Sequence, residues 1–151
     1  MYKEICFYNS KAYFNYNLFE SYIAGIQLLG SEIKSIRLNK VSISDSFCKL
    51  QNNELYVINM YISKYKWAST TKNYIPCRER KLLLNSSELK KIECSIKKYG
   101  FTVIPTKLFL NKKGFAKLSI ALSKGRKTVN KRDIIKNKEI DRKIQKYTNY
   151  I

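Results

Sequence analysis

The clearest periodicity in the chain lies in Phe101-Thr102-Val103-Ile104-Pro105-Thr106-Lys107-Leu108-Phe109-Leu110, Asn111-Lys112-Lys113-Gly114 and Phe115-Ala116-Lys117-Leu118-Ser119-Ile120-Ala121-Leu122-Ser123. Two apolar runs flank a glycine-containing turn, the pattern of a hairpin. In the second run Ala116, Leu118, Ile120 and Leu122 share one face while Lys117, Ser119 and Ala121 share the other, as in a half-buried antiparallel strand. Upstream, Phe47 to Gln51 and Glu54 to Met60 form a second hairpin around Asn52-Asn53, a dipeptide that tolerates positive φ. Residues 11–17, with Ala12, Phe14 and Tyr16 alternating, read as another strand. Tyr22 to Leu29 reads as one more, with Gly25 marking a bulge or bend. Ser31 is placed to cap a short helix carrying Ile33, Ile36 and Arg37. Asn85 and Glu88 make a capping box for a longer helix along Leu89, Ile92 and Ile96, which Gly100 stops. Six strands with two helices call for an antiparallel barrel or sandwich, because closing a sheet removes its exposed edges. Phe14, Phe47, Phe101 and Phe109 are expected in its core.

The chain has 151 residues, 30 Lys or Arg against 11 Asp or Glu, four Cys and no His. That length suits one domain with a tail. A hydrophobic fraction of 44% argues against global disorder. A net charge of +19 points to a polyanionic partner. Without His there is no Ser-His-Asp or Cys-His catalytic unit and no His-containing zinc site. Cys6, Cys48, Cys77 and Cys94 are scattered, so they read as structural thiols in a reducing compartment, with no metal and no cofactor expected. No apolar run approaches the roughly 20 residues that span a bilayer, and the N-terminus lacks a signal-peptide core. A cytoplasmic protein is expected.

Residues 62–80 interleave Lys64, Lys66, Lys72, Arg78 and Arg80 with Tyr65, Trp67 and Tyr74, and read as an exposed loop on which unpaired bases could stack. Residues 1–123 are read as the barrel domain and 124–151 as a basic tail. Lys124 to Asn130 has almost nothing to bury, and the whole tail, 124–151, is expected to be disordered when free. Further on, Ile140, Ile144, Tyr147 and Ile151 fall on one helical face that a partner would stabilise, with Glu139 and Lys143 in favourable i,i+4 order. RNA binding through a small barrel accounts for these features. A Mg²⁺-dependent nuclease using Glu32, Asp45 and Glu54 would need no His, but nothing in their spacing favours it. A membrane-surface role would suit the tail alone.

Several pieces in one register carry a resemblance. They are Asn9-Ser10-Lys11-Ala12, Gly25, Gly30-Ser31-Glu32-Ile33-Lys34-Ser35-Ile36-Arg37, Lys40 and Ile43-Ser44-Asp45-Ser46-Phe47. Next come Arg78-Glu79-Arg80-Lys81-Leu82-Leu83-Leu84-Asn85, Tyr99-Gly100-Phe101-Thr102-Val103, Ala121-Leu122-Ser123-Lys124-Gly125-Arg126-Lys127 and Lys131-Arg132. The ordered set resembles the small protein B family, the SsrA-binding proteins of bacterial trans-translation. The resemblance implies a mainly β fold: an OB-like closed antiparallel barrel of about six strands with two or three flanking helices and a basic tail that becomes helical on the ribosome. It implies a monomeric, non-enzymatic adaptor. Its partners would be the tRNA-like domain of transfer-messenger RNA and the ribosome, at the small-subunit decoding centre and mRNA channel, with no membrane or DNA involved. The runner-up is a general OB-like ribosomal or single-stranded RNA-binding factor.

By the same resemblance Asn9, Lys11, Leu83 and Asn85 sit where the family contacts its RNA. Glu32, Lys34, Arg37 and Lys40 line the first helix and its following loop, and Arg78, Arg80 and Lys81 join them beside the aromatic loop. In the tail, Lys124, Arg126, Lys127, Lys131, Arg132, Lys136, Lys138, Ile140 and Lys143 would engage the ribosome, with Gly125 letting the chain turn. The family usually carries His at Phe14, an acidic residue at Ile23, His at Val129, Asp at Asn130 and an aromatic at Ile140.

Overall fold

The computed structural model describes residues 4–68, 72–126, 132, 135–140 and 142. Along them run β1 (Cys6–Tyr8), α1 (Ser10–Asn15), β2 (Tyr16–Ile26), α2 (Gly30–Arg37), β3 (Val41–Ser42), β4 (Phe47–Gln51) and β5 (Glu54–Ile58). Then follow β6 (Tyr61–Ile62), β7 (Arg80–Leu83), α3 (Ser86–Tyr99), β8 (Thr102–Leu110) and β9 (Ala116–Gly125). β8 and β9 are the hairpin that the alternation demanded, in register from Thr102 opposite Ser123 to Leu110 opposite Ala116. Six strands close a ring in the order β8-β4-β5-β7-β2-β9 and back to β8, all antiparallel. β1 pairs with β8 beside that ring, and β3 pairs with β6 separately. Closure satisfies the backbone polar groups that an open sheet would leave at its edges.

The ring is filled as the period-2 pattern requires. Leu118 and Ile120 are fully buried and Leu122 nearly so. They meet Leu55, Val57, Leu82, Val103 and Leu108 in one core, with Ile36 of α2 and Ile92 of α3 packed into it. Each such side chain contributes about 1.5–3 kcal/mol by leaving water. The β4–β5 turn uses Asn52 (φ 48°) and Asn53 (φ 60°), both left-handed, which suits the twist of a tight hairpin. Gly100 (φ 65°) ends α3, its N–H donating to the Ile96 carbonyl at 3.1 Å. Ala121, expected to face outward, is buried: Ala12, Ile104 and Ala121 are all buried apart from the main core, where α1 lies against β8.

Residues 11–17 depart from the strand reading. Asn9 caps a helix there instead: its Oδ1 accepts from the Ala12 N–H at 3.2 Å, while its Nδ2 donates to Pro105 O (2.8 Å) and Ile43 O (3.2 Å). The cap, tied to two distant segments, outweighs the alternation of Ala12, Phe14 and Tyr16, and the strand begins only at Tyr16. Conversely, Arg80-Lys81-Leu82-Leu83, read as loop end and core, is strand β7. The ring has six strands because one expected strand is a helix and one unexpected strand takes its place. Leu29, not Ser31, precedes the first residue of α2. None of the four phenylalanines expected in the core is fully buried: Phe47 is exposed and Phe14, Phe101 and Phe109 are half-buried, because the aliphatic residues already fill the ring.

The tail also begins later than read. Lys124 and Gly125 complete β9, opposite Asn17 and Tyr16, so Gly125 is an extended strand residue rather than a turn. Residues 135–140 are helical, the conformation that the resemblance reserved for the ribosome; Lys136, Lys138 and Glu139 are good helix formers.

Replacing Asn9 by Ala should cost about 2–4 kcal/mol in urea denaturation, since it removes a cap worth about 1 kcal/mol and two buried hydrogen bonds worth about 0.5–1.5 kcal/mol each, although the Ile43 carbonyl still accepts from Ser46. A loss below about 1 kcal/mol would mean that the cap and the two tethers contribute little.

Candidate nucleic-acid interface

α2 starts beside β7, and the two elements meet through charge. Glu32, only 1% exposed, receives Arg80 Nε (3.1 Å) and Nη2 (2.8 Å) on Oε1, with Arg80 itself 0% exposed. Arg78 adds a fork, Nε to Oε1 at 2.8 Å and Nη2 to Oε2 at 2.7 Å. The Leu29 N–H donates to Oε2 at 2.9 Å, so the same carboxylate caps its own helix. Arg80 spends its other donors on Met60 O (2.6 Å), Pro76 O (3.0 Å) and Arg78 O (3.1 Å). Tyr74 joins from the loop, its hydroxyl donating to Ile62 O at 2.8 Å. The basic-aromatic loop is therefore a strap with a buried root and an exposed tip, where Trp67 is 75% exposed and Lys66 Nζ sits 5.4 Å from its ring centroid.

This geometry corrects the reading of three candidate RNA contacts. Glu32, Arg80 and Asn9 have almost no surface to offer a nucleic acid; they position others. Arg78 is only partly exposed, its fork committed to Glu32. Lys81 is half-buried and pairs with Glu54 at 2.6 Å, and the exposed Lys11 pairs with Asp45 at 2.8 Å. Glu32, Asp45 and Glu54 thus serve three separate groups of cations, which removes the motive for grouping them around Mg²⁺.

The exposed cations lie elsewhere. Lys34, Arg37 and Lys40 lie on α2 and the turn after it, all three exposed. Lys34 Nζ stands 5.3 Å from the centroid of the strap residue Tyr65. A methyl group on Gly114 would lie 3.5 Å from Arg37 Nη2, which places the exposed Lys112-Lys113 turn beside α2. The sequence reading missed those two lysines, whose only signal was a doublet in a hairpin turn. Leu83 is 54% exposed and seated by Gly25, where a Cβ would come 3.3 Å from Leu83 Cβ. Leu83, Asn85, Lys81, Glu54 and Leu89 line a hollow of about 350 Å³, Asn85 standing at the N-cap of α3.

At the root of the tail, Lys124 is exposed. Arg126 is turned inward: its N–H donates to Asn15 O (2.9 Å), its Nε to Tyr16 O (3.1 Å) and its Nη2 to Tyr13 O (3.4 Å), satisfying carbonyls at the end of α1. Arg132, Lys136, Lys138 and Ile140 are exposed, Lys138 Nζ lying 5.8 Å from the Phe14 centroid. Lys127, Lys131 and Lys143 lie outside the described residues.

Burial by itself would raise the Glu32 carboxyl, but hydrogen bonds from Arg78, Arg80 and the Leu29 amide, with the Arg80 charge, more than offset it and hold it below the ordinary carboxylate range. A lowered folded-state pKa contributes stability that is present above the unfolded value and is lost as pH falls through the folded one. Glu32→Gln should destabilise the chain by about 3–5 kcal/mol at pH 7, because Arg80 is left buried without its counter-charge. The gap between the two proteins in urea denaturation should narrow as the pH is lowered beneath the usual carboxyl range. A gap that stays constant there would mean that the negative charge is not what Arg80 requires.

The family model described as SmpB protein matches residues 6–150. The SsrA-binding protein of Bacteroides thetaiotaomicron is 50% identical over 131 residues, covering 87% of each chain. That of Flavobacterium psychrophilum is 46% identical over 146 residues, covering 97% of each. A solved structure described as "tmRNA-SmpB: a journey to the center of the bacterial ribosome" matches with a TM-score of 0.67 and 38% identity, covering 82% of this chain and 86% of that one. With the same ordered motifs on a closed six-stranded ring, the chain belongs to the SmpB protein family.

Proposed function

We propose that the chain is a non-enzymatic adaptor that binds the tRNA-like domain of transfer-messenger RNA and delivers it to stalled ribosomes for trans-translation. The observation that carries this reading is the division of its charges. Some cations are locked into the ring by carboxylates, while others, on α2, the 111–114 turn and the tail, face solvent in a chain whose relatives are SsrA-binding proteins. A rigid ring holds the exposed cations at set spacings, which suits a folded RNA recognised by shape and phosphate contacts. Lys34 and Arg37 supply phosphate contacts of the body, and Leu83 and Asn85 an uncharged surface at the hollow by α3. The tail supplies cations that extend beyond the ring, and engages the small-subunit decoding centre and mRNA channel when no message occupies them. No bond is made or broken by the chain itself, and its place of action is the cytoplasm.

In competition binding, a tRNA-like domain of transfer-messenger RNA should outcompete a single-stranded RNA of equal length. Equal competition would favour a general single-stranded RNA factor. Changing Lys34 and Arg37 together to Ala should weaken that binding and flatten the plot of log K against log salt by about 1–2 units, at roughly 0.7–0.9 for each phosphate no longer neutralised. An unchanged slope would clear both residues.

A chain ending at Arg126 keeps β9 and the Arg126 bonds to α1. It should still bind the tRNA-like domain while failing to support tagging on stalled ribosomes. Tagging by that truncation would overturn the division of labour between ring and tail.

A further inference from the structure

Two irregularities of the backbone converge on one exposed spot. In β2, Leu18 stands opposite Ser123 and Ser21 opposite Ala121, so Phe19 and Glu20 together face the single residue Leu122. A bulge of this kind re-aims a side chain, and Phe19 is left 54% exposed. At the end of α3 the left-handed Gly100 turns the chain sharply into β8, which leaves Tyr99 62% exposed and brings its ring 6.1 Å from that of Phe101. Phe19 meets Phe101 edge to face, with centroids 5.0 Å apart and planes at 63°. Lys124 Nζ lies 4.9 Å from the Phe101 centroid. None of the three rings is fully buried, and none belongs to the residues already placed in the RNA-binding face.

We propose that Phe19, Tyr99 and Phe101, with Lys124, form a stacking platform for an unpaired base of RNA. Exposed aromatic rings grouped together mark a contact surface rather than a packing accident. Which partner they fit is set by the surrounding charge. Lys124 lies against the Phe101 ring, and the exposed Lys97 and Lys98 directly precede Tyr99 in the chain, against Glu20 and the Glu93 that pairs with Lys97. Aromatic faces beside lysines are the combination that holds single-stranded nucleic acid, the rings taking bases of any sequence and the ammonium groups the phosphates. The platform also adjoins the tail root, so it continues the cationic surface of Lys124. It rests on the reading of the chain as an RNA-binding adaptor and adds a base-stacking contact to it.

The test uses the full chain and a single-stranded oligoribonucleotide of about twelve nucleotides, within the span such surfaces cover, carrying one 2-aminopurine. Stacking on the platform should quench the 2-aminopurine emission. Changing Phe19 and Tyr99 together to Ala should abolish the quenching and weaken binding about tenfold, without altering the salt slope. Lys124→Ala should instead flatten the slope by about 0.7. Phe19→Leu keeps apolar contact with Phe101 but removes the ring, and should also reduce the quenching, which guards against a folding defect in the double variant. Absence of quenching with the unaltered chain, or quenching and affinity unchanged in the variants, would overturn the platform. If the unaltered chain also failed to bind the tRNA-like domain, the adaptor reading would fall, and that result is separate from the first.

Discussion

A carboxylate and a guanidinium with no contact to water face each other between α2 and β7, and much of the molecule is arranged around keeping Glu32 and Arg80 satisfied. Two buried charges are tolerable only when each is paired and its remaining hydrogen-bonding groups are used. Here the strap supplies Arg78, Tyr74 and the Pro76 carbonyl, the β5–β6 connection supplies the Met60 carbonyl, and α2 is entered through the Leu29 amide. A buried ion pair adds little net stability over apolar residues of the same size, but its geometry is exacting. It selects one position of α2 against β7 and one path for the root of the strap.

That selection explains which positive charges remain available. Of the cations near the ring, Arg78 and Arg80 hold the strap, Lys81 holds Glu54, Lys11 holds Asp45 and Arg126 holds the end of α1. Those left facing solvent sit on elements that the closed ring and the buried pair keep in place. Charge spent inside the protein fixes the geometry with which the exposed charge meets phosphate. The same economy operates with aromatic residues: aliphatic side chains fill the ring, and the rings of Phe19, Tyr99 and Trp67 stay at the surface.

The fold was legible wherever one residue period had no rival. Ala116 to Leu122 alternates cleanly, and both Asn52-Asn53 and Gly100 adopt the backbone their types favour, so the two hairpins and the end of α3 follow from local rules. Residues 11–17 mislead because their alternation competes with a cap at Asn9, whose strength depends on carbonyls 34 and 96 residues away in sequence. β7 is hidden because an arginine at its start looks like surface, and only the carboxylate of Glu32, 48 residues distant, makes it a core residue. Among candidate site residues, ordered motifs drew exposed and buried side chains together, because a motif carries residue type and order but not whether a side chain such as Glu32 or Arg80 ends inside the protein.

Local chemistry, carried by the order of residues alone, determined the antiparallel hairpins, the capped α3, the surplus of positive charge and the family to which the motifs point. Periodicity, turn residues and charge are properties of short stretches and need no partner to be read. The roles of Asn9, Glu32 and Arg80, the inward turn of Arg126 and the meeting of Phe19 with Phe101 were decided only in three dimensions. Burial and ion pairing depend on which distant segments come to lie beside a residue, and that is settled when the ring closes.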